Sequence, residues 1–176
     1  MKDTSASASK TPKWSEADKK ELLTKARAGD SDAQFWLGAA YEQGWFGKAD
    51  FQEALKWFKA AAKRGDADAQ SSLGQMYGDG EGAPRNYFAA ARWYRRAAEH
   101  IPDFGGAGQG RNNLGLLYMK GLGVSKEYVR AYKWFSLAHS EANQSYAKAQ
   151  MSPAQISEAE RLVAEWKARH PEPGQW

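Results

Sequence analysis

The sequence has no cysteine and only three histidines, which excludes disulfides, thiolate metal sites and cysteine nucleophiles. His100, His139 and His170 lie far apart in the chain and close to expected helix ends, where an exposed histidine is favoured by the helix dipole. No apolar run approaches the length of about 18 residues that a membrane-spanning helix needs. His-Glu-x-x-His and Gly-x-Ser-x-Gly patterns are both missing, and with them the zinc-protease and serine-hydrolase signatures. Gly78, Gly80 and Gly82 alternate with Asp79 and Glu81, yet the Lys-Ser/Thr of a phosphate loop and the ligand spacing of a calcium loop are absent. That segment is expected to be a turn. Nothing here predicts catalysis, a metal or a cofactor. Charge of one sign is also scarce: 25 basic residues stand against 21 acidic ones, a net +4, too small a bias to imply nucleic acid without a clustered patch.

What the sequence has is an internal repeat. Leu37 and Gly38 recur as Leu73 and Gly74, Tyr41 as Tyr77, Gly44 as Gly80, Ala54 as Ala90, and Trp57-Phe58 as Trp93-Tyr94, all 36 residues on. A third copy has Leu114, Gly115, Tyr118, Gly121, Ala131 and Trp134-Phe135, shifted by 41 because five residues are added between His100 and Gly106. Fixed periods of this length denote stacked supersecondary units. Each copy holds two segments of helical apolar period joined by a glycine-rich turn. In the first segment Ala33, Leu37, Gly38 and Tyr41 share one side of a helix; in the second, Ala54, Trp57, Phe58, Ala61 and Ala62 form the stripe while Lys56, Lys59 and Lys63 point away. Glycine inside a helix costs about 1 kcal/mol relative to alanine, so its return in all three copies predicts close packing at Gly38, Gly74 and Gly115. Gly44, Gly80 and Gly121 stand where a helix stop favours a left-handed residue. Trp57, Trp93 and Trp134 share one repeat position and are expected to be core.

The Ala-x-x-x-Leu-Gly-x-x-Tyr-x-x-Gly run from Ala33 to Gly44, its two later copies, and the Ala-x-x-Trp-[Phe/Tyr]-x-x-Ala run of each second helix resemble the Sel-1-like repeat family, relatives of the tetratricopeptide repeats. The resemblance covers roughly Lys25 to Trp166. It implies an all-α, right-handed α-solenoid of three two-helix repeats. It also implies a non-catalytic protein–protein interaction module, an adaptor or regulatory scaffold of bacterial type. The lack of cysteine sets the chain apart from the cysteine-bridged secreted members. Trp45-Phe46-Gly47 departs from the short Gly-x-Gly turn usual there. Trp45 and Phe46 either fold under the first hairpin or form an exposed contact patch.

In chain order, residues 1–13 are Ser/Ala/Lys-rich and expected to be a disordered tail. They lack the apolar core of a signal peptide; a processed precursor given a start Met would look the same, so cytoplasm and periplasm both stay open. Residues 14–170 are expected to be one repeat domain. A helix from Ser15 to about Ala28 ends in a segment matching Ala62 to Gln70, so it is a half-repeat that caps the stack. The repeats are placed at about 31–66, 67–106 and 107–142, with helices at about 31–43, 50–64, 67–77, 86–99, 109–120 and 127–141. Ile101 to Gly106 should project as a loop, since proline and paired glycines break helices. A short helix is possible over 142–149. Ser152, Pro153 and Gln155 form a capping box with proline at the first helical position. The capping helix over about 152–169 turns Ile156, Ala159, Glu160, Val163 and Trp166, or their neighbours, to the stack. Residues 171–176 are a tail.

In curved stacks of helical hairpins the first helices line the concave side. The repeat register assigns to that face Asp32, Phe35, Ala39 and Glu42, then Asp68, Ser71 and Gln75, then Gln109, Asn112, Leu116 and Met119. Phe35 is the expected anchor, flanked by the carboxylates of Asp32 and Glu42, for a partner protein or peptide with basic and apolar groups. The alternative is nucleic acid on the convex face through Lys56, Lys59, Lys63, Arg64, Arg92, Arg95, Arg96, Arg130 and Lys133, a set that a solvated surface also explains. A monomer without membrane contact is expected.

Overall fold

The computed structural model describes residues 14–100 and 105–171; residues 1–13 and 172–176 of the expected tails and Ile101 to Phe104 of the insertion lie outside the described residues. Among the described residues there are nine helices and no strand. Helix α1 (Glu16–Arg27) precedes three hairpins, α2 (Ser31–Glu42) with α3 (Phe51–Lys63), α4 (Ala67–Asp79) with α5 (Tyr87–Ala98), and α6 (Gly106–Lys120) with α7 (Tyr128–Leu137). Two more follow, α8 (Glu141–Lys148) and α9 (Pro153–Arg169). From α1 to α8 each helix packs on its neighbour in the chain, α4 also touches α6, and α9 lies against α7. The chain is therefore a linear stack. Its core is three successive clusters, centred on Leu37 with Trp57, on Phe58 with Leu73, and on Leu114 with Phe135.

The starts of the helices are written in the sequence. Ser15 and Asp18 close one capping box, and Ser152 and Gln155 another. Asp30, Asp50, Asp66 and Asn86 each accept a backbone N–H in the first turn of the helix they precede. Each such cap stabilises by about 1 kcal/mol. Gly80 and Gly121 end α4 and α6 in the left-handed conformation, and Gly44 has a φ of 68° just beyond α2.

The repeated glycines explain how two helices close into a hairpin. A Cβ at Gly38 would stand 2.7 Å from the Phe58 ring, at Gly74 2.5 Å from the Tyr94 ring, and at Gly115 2.6 Å from the Phe135 ring. One aromatic side chain of each second helix thus lies flat against the backbone of its first helix. The Trp position is less uniform than expected. Trp57 and Trp134 are buried, but Trp93 is half-buried, with the Arg96 guanidinium 4.9 Å from its ring centroid.

A second repeated contact joins one hairpin to the next. Gln34 and Gln70 are buried and donate from Nε2 to the carbonyls of Ala26 and Ala62, at 3.0 and 3.2 Å. Both acceptors lie near the C-terminal end of the preceding helix, where carbonyls lack intrahelical partners. The third copy has Arg111 at this position. It is 2% exposed, and its Nε donates to Ala98 O at 2.9 Å. The longer side chain also reaches His100 O at 2.8 Å and Leu137 O at 3.2 Å, and sits 4.7 Å from the Trp166 ring. Arginine thus takes over where the insertion interrupts the period.

Two helix limits differ from expectation. Helix α6 begins at Gly106, not 109, because glycine is needed for contact: a Cβ at Gly106 would lie 2.2 Å from Ala67 O, and one at Gly110 2.7 Å from Ala97 Cβ. The insertion's last residue is thus helical and buried, and only Gly105 before it is exposed among the described part. Helix α7 stops at Leu137, and His139 takes a left-handed φ of 52° before α8 starts. His139→Gly is expected to raise stability by up to about 1 kcal/mol, the left-handed penalty of a side chain. A lower denaturant midpoint in the variant would contradict that strain.

Candidate functional site

The face expected to bind is built from α2, α4 and α6, and the structure divides its residues into three groups. Asp32, Asp68, Gln75 and Gln109 are exposed. Phe35, Ala39, Glu42, Asn112, Leu116 and Met119 are half-buried. Ser71 is fully buried at 0% exposure, so its assignment as a contact residue is corrected. Phe35 and Asn112, at the same register position, are drawn in as well. Phe35 packs on the second cluster with its ring 5.8 Å from Phe58 of α3, and Asn112 accepts from Asn143 of α8 at 3.0 Å. This register position is turned toward packed neighbours rather than to open solvent. Leu116 and Met119 likewise pack on the third cluster.

Phe35 is therefore partly core, and the exposed aromatic is its neighbour. Trp36 is 49% exposed. Its indole stacks 6.4 Å from Trp45, which in turn stacks on Trp14 at 5.6 Å with the planes 9° apart. Phe46 packs under this column, edge-on to Trp14 and Tyr41, with the Lys19 ammonium 5.1 Å from its ring. The unusual first turn is thus half-buried on both residues and joins α1 to α2. Its physical reason lies in the register. In the later turns Gly82 and Gly123 press on the backbone of Phe51 and Tyr87, leaving no room for a Cβ, whereas Phe46, at the same position, meets the start of α1 with a full side chain. Trp36 itself was missed in the sequence, although its counterparts Ser72 and Asn113 are polar and mark a position that does not need an apolar side chain.

Phe35→Ala is expected to destabilise by about 1–3 kcal/mol, less than a fully buried phenylalanine and more than a surface change. A denaturant titration that superimposes on wild type would show that the contact with Phe58 carries no energy.

The electrostatics of the face are acidic. Burial raises the pKa of Asp66, the N-cap of α4, and the nearby carboxylates of Asp68 and Asp32 raise it further against its backbone hydrogen bonds from Ala69 and Asp68. Burial also raises Glu42, opposed by its hydrogen bond with Gln43, and Glu81 adds to the shift. Asp68 sits at the start of α6, where a Cβ on Gly105 would lie 2.6 Å from its Oδ1; a carboxylate there is favoured by the helix dipole. Among the described residues no group of three or more His, Cys, Asp or Glu side chains could hold a metal ion, and no helix is long and apolar enough to cross a membrane.

The opposite, basic face is partly committed to the fold. Lys56 is shared between Glu53 at 3.1 Å and the Trp57 ring at 5.4 Å, and Arg130 pairs with Glu127 at 2.8 Å. Arg95 donates to the Tyr118 hydroxyl at 3.1 Å. Lys133 is half-buried, and burial lowers its pKa before Arg169 and Arg130 add to the effect.

The Sel1 repeat model matches residues 31–66, 67–100 and 108–140. The chain belongs to the Sel1 repeat family. Solved structures agree with that assignment. A protective antigen of uropathogenic Escherichia coli with an SLR fold is similar over 86% of this chain and 40% of its own, at 25% identity and a TM-score of 0.63. A Sel1 repeat protein from Oxalobacter formigenes is similar over 70% of this chain and 49% of its own, at 30% identity and a TM-score of 0.62. The chain thus spans less than half the length of either. No curated protein matches it. Sel1 repeats are generally protein–protein interaction modules and non-catalytic scaffolds.

Proposed function

We propose that this Sel1 repeat protein is a non-catalytic adaptor or scaffold that binds a partner protein or peptide on the face formed by its first helices. The observation that carries the reading is the acidic row beside an exposed indole. The charges acting on Asp66 come from Asp68 and Asp32, and the charge acting on Glu42 from Glu81, all negative, while Trp36 stands half in solvent. Like charges held at partly desolvated positions favour a partner that brings positive charge, and a partner covering Trp36 adds apolar contact. The anchor is Trp36 rather than Phe35.

Once a partner is in hand, Trp36→Ala is expected to weaken binding by about 2 kcal/mol or more, as aromatic anchors do. Asp32→Lys with Asp68→Lys should weaken it further, with a salt dependence the Trp36 change lacks. Unchanged affinity in both variants would remove the first-helix face as the site. Acidity supplies an independent check. The folded pKa values of Asp66 and Glu42 lie above their unfolded values, so as pH falls these two are protonated before ordinary carboxylates are, and a basic partner loses its counter-charges. Affinity should therefore decline earlier on acidification than it would with ordinary carboxylates, as pH falls through the carboxylate range. Calorimetric titrations across that range that show constant affinity would contradict a charge-led contact. Nucleic acid on the outer face is separated by salt, since its affinity falls steeply with ionic strength.

A further inference from the structure

On α3 an acid and a tryptophan stand one turn apart and share a cation. Trp57 Nε1 donates to Glu53 Oε2 at 3.2 Å, and the Lys56 ammonium lies 3.1 Å from the same carboxylate and 5.4 Å from the indole centroid. Tryptophans further along the stack also hold cations of this chain: Arg96 on Trp93 at 4.9 Å, Lys133 on Trp134 at 4.5 Å and Arg111 on Trp166 at 4.7 Å. The electron-rich face of the ring attracts the cation, and a carboxylate beside it adds a charge-assisted hydrogen bond.

Helix α2 repeats the spacing with Asp32 and Trp36, four residues apart and therefore neighbours on one stripe. Both are exposed. Trp45 stacks on the Trp36 ring and Phe35 meets it at 67°, which still leaves the residue 49% exposed. The helix does not supply a cation of its own as α3 does. Lys56 immediately precedes Trp57, whereas the residue before Trp36 is Phe35, packed on Phe58. Among the described residues no lysine or arginine stands over the Trp36 ring or pairs with Asp32. Asp68 and Asp32 both act on the charge of Asp66, so the surroundings of Asp32 are themselves acidic and attract a cation from outside.

We infer that Asp32 and Trp36 form a subsite for one arginine side chain of the partner. The inference rests on the first-helix reading and names the group seated there. A guanidinium is planar and weakly hydrated, so it lies along an indole while the N–H groups in its plane reach a carboxylate. A lysine ammonium is compact and strongly hydrated, and at a ring half in solvent it gives up more water for less contact. The half-buried indole that stands outside the aromatic column, Trp93, carries a guanidinium, that of Arg96.

The test uses the full chain, isotope-labelled for NMR, with N-acetyl-arginine methylamide as the probe and the matching lysine and citrulline methylamides beside it. Citrulline keeps the plane of the side chain and loses its charge. The expected result is a saturable shift of the Trp36 indole N–H resonance, which is assigned by its disappearance in Trp36→Phe. Affinity read from that shift should be about threefold or more weaker for the lysine probe and about tenfold weaker for citrulline. Asp32→Asn should weaken the arginine probe about threefold or more and flatten its salt dependence. The probe series on the unaltered chain needs no variant to fold. Three results overturn the inference: no saturable shift at Trp36, equal affinity for the arginine and lysine probes, or unchanged arginine affinity in Asp32→Asn. The first-helix reading fails by a different readout, partner affinity unchanged by Trp36→Ala and by the paired Asp32→Lys and Asp68→Lys changes.

Discussion

Arg111→Ala is expected to cost the fold about 3–5 kcal/mol, the range seen when one partner of a buried charged network is removed. The guanidinium holds carbonyls from two helix ends at once, Ala98 and His100 at the end of α5 and Leu137 at the end of α7. Those carbonyls have no intrahelical partner, and both helix ends carry the partial negative charge that a buried cation answers. The Trp166 ring lies 4.7 Å away on one side, and His170 stacks 4.3 Å from that ring. Alanine would leave acceptors unsatisfied, open a cavity and free one face of Trp166, so loss of stability should be accompanied by faster hydrogen exchange in α9. Arg111→Gln is the informative companion. Gln34 and Gln70 show that a glutamine at this position can hold the carbonyl eight residues back. The five-residue insertion places Ala98 thirteen residues back from Arg111, so a glutamine there should recover only part of the loss. Equal denaturant midpoints for wild type and Arg111→Ala would mean that the clamp carries no stability.

Much of the fold was legible because the sequence states the same unit three times. Leucine, glycine, tyrosine and tryptophan return in order, the capping residues Asp30 and Asp66 return with them, and the helices appear where that text places them. The limits of α6 and α7 were less legible, since both are decided by contacts between units. Gly106 and Gly110 look like helix breakers in isolation and are helical because α6 passes so near Ala67 and Ala97. Arg111 looks like a surface charge until the repeat register aligns it with two buried glutamines. The candidate face was legible in register and not in depth. A helical wheel separates the side facing the hairpin partner from the rest, but says nothing about the next hairpin. Ser71 is buried, Asn143 of α8 bonds Asn112, and the Phe58 ring of α3 draws in Phe35, while Trp36 stays exposed. Asp32 and Asp68 are exposed because they stand in the first turns of α2 and α4, and a helix start is a local property legible in the sequence.

The aromatic that closes each hairpin should be worth more than the tryptophan beside it. Phe135 is fully buried and its ring lies against the Gly115 backbone, so Phe135→Ala is expected to cost about 3–5 kcal/mol through lost transfer energy and a cavity that rigid helix backbones cannot close. Trp93→Ala, which the sequence alone would rank with it, should cost less, because the indole is half in solvent under Arg96. The glycine side of the contact gives a sharper check than either truncation. Gly115→Ala adds helix propensity of about 1 kcal/mol, yet its Cβ would stand 2.6 Å from the ring, and overpacking of this kind costs about 1–3 kcal/mol. In a Phe135→Leu background the ring is gone, the clash should ease, and the same Gly115→Ala change should become neutral or stabilising. Residues in contact couple in this way, whereas independent sites simply add. A double-mutant cycle by urea titration reads the coupling directly, and an alanine whose effect is the same in both backgrounds would show that the ring does not set the distance between α6 and α7.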